Sequence, residues 1–256
     1  MDRQAKKTST VSLFTFFTGA GFLDLGFEDA GFEEVFANEL IDDFATIYTY
    51  SRAQMKRDML KYGLQRKSID CFLEHDEDKL YLHNSMKHEW DAGNLVGFLG
   101  GPPCPDFSVA GKNKGAEGEH GRLSMSYAKL IVESSPDFFV FENVKGLWRT
   151  VRHREFFDSL VSMFQHAGYA TTVRLINALE YGAPQDRDRI ILIGVKRTLL
   201  DLPKDCKEIT DFPWMAYVKY SLDKVKKAPW PKTSPFKAHS QSLPPDDIIE
   251  ELTVEH

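Results

Sequence analysis

The apolar positions of this chain come in short bursts separated by polar, glycine-bearing turns. Val11–Phe16 is an unbroken β-branched and aromatic run, which reads as a buried strand. It leads into Thr18-Gly19-Ala20-Gly21, a short helical stretch to about Ala30, and a second strand over Val35–Glu39, together a βαβ unit. Residues 42–79 are mostly charged and helical in pattern, with Gly63 as a break, and read as a surface excursion. Leu80–Asn84 is expected as a third strand and Leu95–Leu99 as a fourth, ending in Gly100-Gly101-Pro102-Pro103-Cys104. A glycine-, lysine- and glutamate-rich loop over Asp106–Arg122 precedes a helix at Ser126–Ser134 and a wholly apolar fifth strand at Asp137–Phe141. A helix over His153–Ala167, stopped by Gly168, leads to strands at Tyr169–Ile176 and Arg189–Val195. Beyond about residue 200, prolines at 203, 213, 229, 231, 235, 244 and 245 break the pattern, and Pro244–His256 reads as an acidic tail or short helix.

Alternating strands and helices predict an α/β fold, a Rossmann-like doubly wound and mostly parallel sheet. Ligands of such sheets sit beyond the carboxyl ends of the strands, at the switch point. The glycine turn follows strand one, Cys104 follows strand four and Glu142-Asn143 ends strand five, so three chemical signals fall on one rim.

The 256 residues suit one domain, or one domain and a small appendage, and 42% hydrophobic with 27% charged is a globular balance. No apolar run approaches membrane-spanning length, and no apolar stretch follows the basic N-terminal residues, so neither membrane association nor a leader is expected. Cys71, Cys104 and Cys206 are too dispersed for a disulfide framework, and the eight histidines show no ligand spacing, so no metal is expected and a reducing cytoplasm is the simplest setting. A net charge of −6 runs against the basic surface usual for a nucleic-acid protein. Between Gly111 and Arg154, however, eight Lys/Arg (Lys112, Lys114, Arg122, Lys129, Lys145, Arg149, Arg152, Arg154) face five acids, either a nucleic-acid footprint or an ordinary solvated face.

Gly19 and Gly21 let the backbone turn tightly and approach a ligand. Glu39, 20 residues after Gly19, stands where an acid commonly takes ribose hydroxyls, whereas a plain turn is the bland alternative. Asp24 falls where a dinucleotide-binding loop has its third glycine, which argues against NAD and an oxidoreductase. Three prolines flank Cys104 and stiffen its loop, as a nucleophile requires, although a random cysteine is more often an inert buried residue. Glu142, after an apolar strand, suits a proton donor with a raised pKa; a helix-capping Asn143 beside a solvated Glu142 is the ordinary alternative. In Gln185-Asp186-Arg187-Asp188-Arg189, an extended chain puts Gln185, Arg187 and Arg189 on one face, suited to a phosphate or base edge, unless it is simply an Arg–Asp surface ladder.

Taken together, these segments resemble the cytosine-C5 DNA methyltransferase family over roughly residues 11–196, in the family's order. FTGAG with Glu39 is similar to its S-adenosylmethionine site, GGPPCPDFS to its catalytic-cysteine loop, FENVKG to its Glu-Asn-Val motif, and NALEYGAPQDRDRIILIGV to its Gln-x-Arg-x-Arg segment with the upstream Asn177. The resemblance implies the S-adenosylmethionine-dependent methyltransferase fold with an antiparallel last strand. It also implies methyl transfer to carbon 5 of a flipped cytosine in double-stranded DNA, as in a bacterial restriction–modification system, through a covalent Cys104 adduct. Glu142 would hold and protonate N3, Asn143 would orient it, and Arg187 and Arg189 would contact the base and its phosphate. Gly111–Arg122 would close over the base. The cofactor, which becomes S-adenosylhomocysteine, would be held by Phe17, Thr18, Gly19, Ala20, Gly21, Phe22, Glu39, Leu40, Asn84, Ser85, Pro103 and Leu123.

There are departures. Phe22 stands where the family often has a third glycine, Asn84 where an Asp usually meets the adenine amine, and Pro105 where a Gln usually follows the cysteine; residues 50–80 make a longer insertion than is typical. The family's target-recognition region and last Asn-bearing motif are not visible after residue 200. The expected division is therefore a catalytic domain over 1–200, with 201–256 a linker or the start of a truncated or partner-supplied recognition region. Two other readings stay open: a transfer-RNA cytosine-C5 methyltransferase, and a non-catalytic subunit of a split DNA methyltransferase, against which the complete Cys104, Glu142, Arg187 set argues.

Overall fold

The structure, a computed structural model, describes residues 10–103, 119–149, 151–203 and 205–227. Seven strands, β1 (Val11–Phe16), β2 (Glu33–Asn38), β3 (Leu64–Gln65), β4 (Leu95–Gly100), β5 (Phe138–Val144), β6 (Tyr169–Asn177) and β7 (Asp188–Lys196), form one sheet in the order β3-β2-β1-β4-β5-β7-β6. β1 lies parallel to both β2 and β4, β2 to β3, and β4 to β5, while the last strands are antiparallel. The order reverses between β1 and β4, which are paired in unbroken register from Val11↔Leu95 to Phe16↔Gly100. Their carboxyl ends therefore frame the crevice where a doubly wound sheet takes its ligand.

The helices are α1 (Phe22–Asp29), α2 (Asp42–Gln54), α3 (Cys71–Glu74), α4 (Asp76–Asp91), α5 (Glu119–Ser134), α6 (Gly146–Arg149), α7 (Val151–His166) and α8 (Leu222–Lys227). Alternate strand residues face opposite layers. Phe14, Phe16, Phe98, Phe139 and Phe141 are buried with Met86 of α4, Ile131 of α5 and Phe164 of α7. Leu13, Leu99 and Val140 are buried on the other face, with Leu23 and Phe27 of α1 against them. Each fully buried Phe contributes about 1.5–3 kcal/mol, so this double covering is the main source of the sheet's stability.

Two expectations are corrected. Leu80–Asn84 is not a strand but part of the 16-residue helix α4. The buried positions of that helix, Leu82, Ser85, Met86 and Glu89, recur at three- and four-residue spacing, and Asp76, Glu77 and Asp78 occupy its first turn, where the helix dipole favours acids. The third strand lies instead in the supposed surface excursion: β3, two residues long, pairs Leu64 with Ala37 and Gln65 with Asn38. That segment also buries Ala45, Tyr48, Arg52, Ile69 and Phe72.

The described residues fall into two compact units, one drawn from Met1–Val173 with Ile190–Thr210, the other from Arg174–Arg189 with Asp211–His256. No helix among the described residues is long and apolar enough to cross a membrane.

Candidate active site at the switch point

The turn after β1 is built on positive backbone dihedrals at Phe17 (φ 57°), Gly19 (φ 56°) and Gly21 (φ 87°). At Gly21 a side chain is excluded twice over, by that dihedral and because a Cβ would come within 2.9 Å of the Tyr48 ring. Gly21 N–H donates to the Thr18 carbonyl (2.9 Å). Glu39, just past β2, accepts from Gly19 N–H on one oxygen and from Ile41 N–H on the other, both at 2.8 Å. The acid expected to serve a ribose thus already clamps the glycine turn, and each oxygen retains a lone pair for a ligand hydroxyl. Thr18 Oγ1 is buried here without a hydrogen-bond partner. Phe22 and Leu40, by contrast, are 83% and 60% exposed, an apolar rim beside a polar cradle.

Behind the turn lies a buried charge cluster. Glu34 accepts from Thr15 Oγ1 (2.7 Å), Tyr48 Oη (2.7 Å) and Arg52 Nη1 (2.6 Å), and Arg52 Nη2 also reaches Glu28 at 2.9 Å. Asp24, in the first turn of α1, is buried with Oδ2 unpartnered. Burial, then the nearby Glu34 carboxylate, pushes the Asp24 carboxyl well above the usual range against the opposing pull of Arg52.

The ends of β4 and β5 are stitched together. Asn143, fully buried, donates from Nδ2 to the Pro102 carbonyl (3.3 Å) and accepts Val144 N–H on Oδ1 (2.8 Å). Its observed role is therefore to tie the start of the cysteine loop to β5. Glu142, half-buried beside it, lies so close to Gly101 that a Cβ there would come within 2.8 Å of Oε2. Pro103 is exposed and Leu123 half-buried. Tyr127 of α5 joins the two regions: its ring meets Phe17 of the glycine turn edge-on at 6.0 Å and stacks on Phe141, next to Glu142, at 5.9 Å. Cys104, Pro105, Lys112, Lys114 and most of the expected lid at Gly111–Arg122 lie outside the described residues. Of the basic run, Arg154 pairs with Asp158 and lies 3.6 Å from the Trp148 ring centroid.

Asn84 and Ser85 do not lie at a strand end. Asn84 is exposed in the middle of α4, and Ser85 Oγ donates to the Tyr81 carbonyl of its own helix (2.8 Å). The segment that leaves the third strand is instead Arg66–Asp70, which the sequence reading missed. Asn38 Nδ2 holds it by donating to the Gln65 (2.9 Å) and Lys67 (2.8 Å) carbonyls. Asp70 accepts from Ser126 Oγ (2.6 Å) and Arg122 Nη1 (2.5 Å) of α5. Burial raises its carboxyl, but these hydrogen bonds outweigh that and leave it below the ordinary Asp value. No sequence pattern marks the segment, because the strand before it is only two residues long.

In the second unit, Asn177 caps the short 3-10 turn at Ala178–Tyr181: its Oδ1 accepts from Leu179 N–H (3.0 Å) and Glu180 returns a bond to its backbone. Its Nδ2 donates to Asp186 (2.7 Å) and Asp188 (2.9 Å). Those two acids therefore share a face, as the alternation predicts. Arg187 is exposed, and Arg189, half-buried, donates to the Asp188 carbonyl at 2.7 Å. The extended reading does not reach Gln185, which sits in a bend before β7.

A mostly parallel sheet with antiparallel last strands, and with a glycine turn, a carboxylate clamp and a proline-bearing loop gathered at its switch point, defines a Rossmann-like α/β domain of the methyltransferase type. The chain belongs to the C-5 cytosine-specific DNA methylase family, whose model matches residues 11–244. It is 48% identical over 255 residues to the type II methyltransferase M.NmeDI of Neisseria meningitidis serogroup C, covering 99% of this chain and 57% of that protein. It is 34% identical over 193 residues to the type II methyltransferase M.MthTI of Methanothermobacter thermautotrophicus, covering 74% of this chain and 50% of that one. The chain thus spans about half the length of the curated relatives it matches. Among solved structures, a prophage-encoded E. coli protein described as a DNA modification methyltransferase matches with a TM-score of 0.56 and 25% identity, over 77% of this chain and 50% of that one. A mutant of Spodoptera frugiperda DNMT2 shares the fold, with a TM-score of 0.54 at 17% identity over 84% of this chain and 59% of that one.

Proposed function

We propose that this chain carries the catalytic machinery for transferring a methyl group from S-adenosylmethionine to carbon 5 of a flipped cytosine in DNA, in a bacterial restriction–modification setting. The observation that carries the reading is the junction of β4 and β5. There Gly101 and Pro102, at the root of the Cys104 loop, lie against Glu142 and Asn143 one strand over from the switch point, with Tyr127 linking them to the glycine turn.

The cradle fits the cofactor. A Cβ at Gly21 would clash, Thr18 Oγ1 is buried without a partner, Glu39 has lone pairs to spare, and Phe22 and Leu40 offer apolar cover. When bound, S-adenosylmethionine supplies an electrophilic methyl group. The protein's part is to make carbon 5 nucleophilic. The Cys104 thiolate adds to carbon 6 of the ring while Glu142 supplies and holds a proton at N3, and later loss of the carbon-5 proton expels the thiolate. Asn143 keeps the cysteine loop and the Glu142 strand together, a positioning role. Arg187 and Arg189 are assigned to the base and its phosphate. Residues 1–200 form the catalytic segment, and 201–256 lead into target recognition. The family match favours DNA over transfer RNA as substrate.

The test is covalent trapping on 5-fluorocytosine oligonucleotides with cofactor. It is run with this chain alone and with the part of the Neisseria relative that this chain does not span added as a separate polypeptide. The wild type should form an adduct with DNA rather than RNA, and Cys104→Ser should form none. An adduct with that variant, or none with the wild type in either arrangement, overturns the assignment.

A further inference from the structure

We propose that the α3–α4 corner is a binding site for a single borderline-soft divalent cation of the zinc type, held by Cys71, His75 and Asp78. One ligand atom from each residue lies within 4.8 Å of the others. The site is outside the methyltransferase machinery and does not rest on the proposed function.

Sequence proximity alone does not make the cluster; the turn does. Cys71 N–H donates to the Ser68 carbonyl (3.1 Å) and His75 N–H to the Cys71 carbonyl (3.0 Å), so α3 is a single closed turn that brings His75 back over Cys71. His75 then precedes α4, and Asp78 stands in its first turn. Asp78 is oriented from outside: Lys67 Nζ donates to Oδ1 at 2.6 Å, leaving Oδ2 facing His75 Nδ1 at 3.5 Å. A carboxylate fixed through one oxygen while the other is presented inward is the outer-shell arrangement that orients metal ligands.

The donor chemistry selects the ion. Thiolate with imidazole and one carboxylate suits Zn²⁺ and its cobalt substitute, whereas Mg²⁺ and Ca²⁺ want several oxygens. Bond lengths of about 2.0–2.3 Å put the donors of a tetrahedral ion roughly 3.5 Å apart. The present span is wider than that, and the His75 side chain, 62% exposed, has room to turn toward the other two. Three protein ligands leave one position for water. Glu74, Asp76 and Glu77 add negative charge around the cation. A cation here would brace the corner directly after Asp70, whose bonds to Arg122 and Ser126 anchor α5.

Cobalt(II) titration of the full chain reads this directly, because a thiolate ligand gives a near-ultraviolet charge-transfer band. A single equivalent should saturate the band and Zn²⁺ should abolish it. Cys71→Ser should remove it, while Cys104→Ser and Cys206→Ser should keep it. His75→Gln, an exposed substitution that leaves the fold intact, should weaken binding by about tenfold or more. Zn²⁺ should also protect Cys71, mapped by peptide mass, from alkylation in the wild type. The site is refuted if no band appears, if the band survives Cys71→Ser or is unmoved by His75→Gln, or if Mg²⁺ competes as well as Zn²⁺.

Discussion

A methyl group on Gly101 would come within 2.8 Å of Glu142 Oε2, so Gly101→Ala tests how closely that carboxylate must be placed. The clash moves a carboxyl group rather than the cofactor cradle. If Glu142 acts on the base as proposed, the expected outcome is a fall in kcat of at least about tenfold with the KM for S-adenosylmethionine nearly unchanged, since a misplaced catalytic group costs rate rather than binding. Steady-state kinetics separates the two, and a raised cofactor KM at unchanged kcat would contradict this placement. Asp24 offers a residue-scale test of a different kind. Its carboxyl is pushed well above its ordinary value by burial and then by Glu34, so the folded chain keeps a proton that the unfolded chain gives up. That group's contribution to stability is complete below the unfolded value of about 3.9 and is lost as pH rises toward the folded one. Asp24→Asn has no proton to lose. It should therefore gain stability over the wild type progressively as pH rises above about 4, seen as a widening gap between urea midpoints. A gap that stays constant with pH would show that Asp24 does not titrate as described.

Among the elements, α1, β2 and α2 meet through one cation. Arg52 of α2 is paired with Glu28 of α1 at 2.9 Å and with Glu34 of β2 at 2.6 Å, and the Glu34 side chain is wholly buried. Arg52→Met keeps the apolar stem of the side chain but not the guanidinium and strands that carboxylate, at an expected cost of about 3 kcal/mol. Adding Glu34→Gln should recover part of the loss, and a double-mutant cycle by urea unfolding measures the coupling. The network was not legible in the sequence, because its members lie 18 and 24 residues apart with no periodic relation. The long elements were legible where burial on both faces writes an apolar run, as in β1, β4 and β5. β3 was not: two residues at a sheet edge carry no pattern to read. Leu80–Asn84 misled because a run as short as Leu-Tyr-Leu-His-Asn suits either period, and only the whole of α4 distinguishes them. The candidate residues followed the same rule. The glycine turn, Glu39, Glu142 and Asn143 stand at or near the ends of legible strands, whereas Asn84 and Ser85 stand within α4, and Arg66–Asp70 follows a strand too short to be read.

Over the whole sheet, the proposed cofactor site draws on the ends of β1 and β2, both hydrogen-bonded into the same parallel register as β4 and β5. A ligand that binds only the folded cradle must therefore stabilise these strands together, by about 2.7 kcal/mol at a hundredfold excess over its Kd. S-adenosylhomocysteine should raise the thermal midpoint of the wild type in a concentration-dependent way and slow hydrogen exchange at the Gly19 and Ile41 amides that Glu39 holds. Cys104→Ser should show the same shift, because in the proposed mechanism the thiol acts on the base rather than on the cofactor. Glu39→Gln should lose most of it, since an amide has one acceptor oxygen where the carboxylate uses two, and its NH₂ would face an N–H of the turn. A full shift in that variant would move the cofactor away from the β1–β2 end of the crevice. A shift absent from the wild type would leave the glycine turn as a structural corner and nothing more.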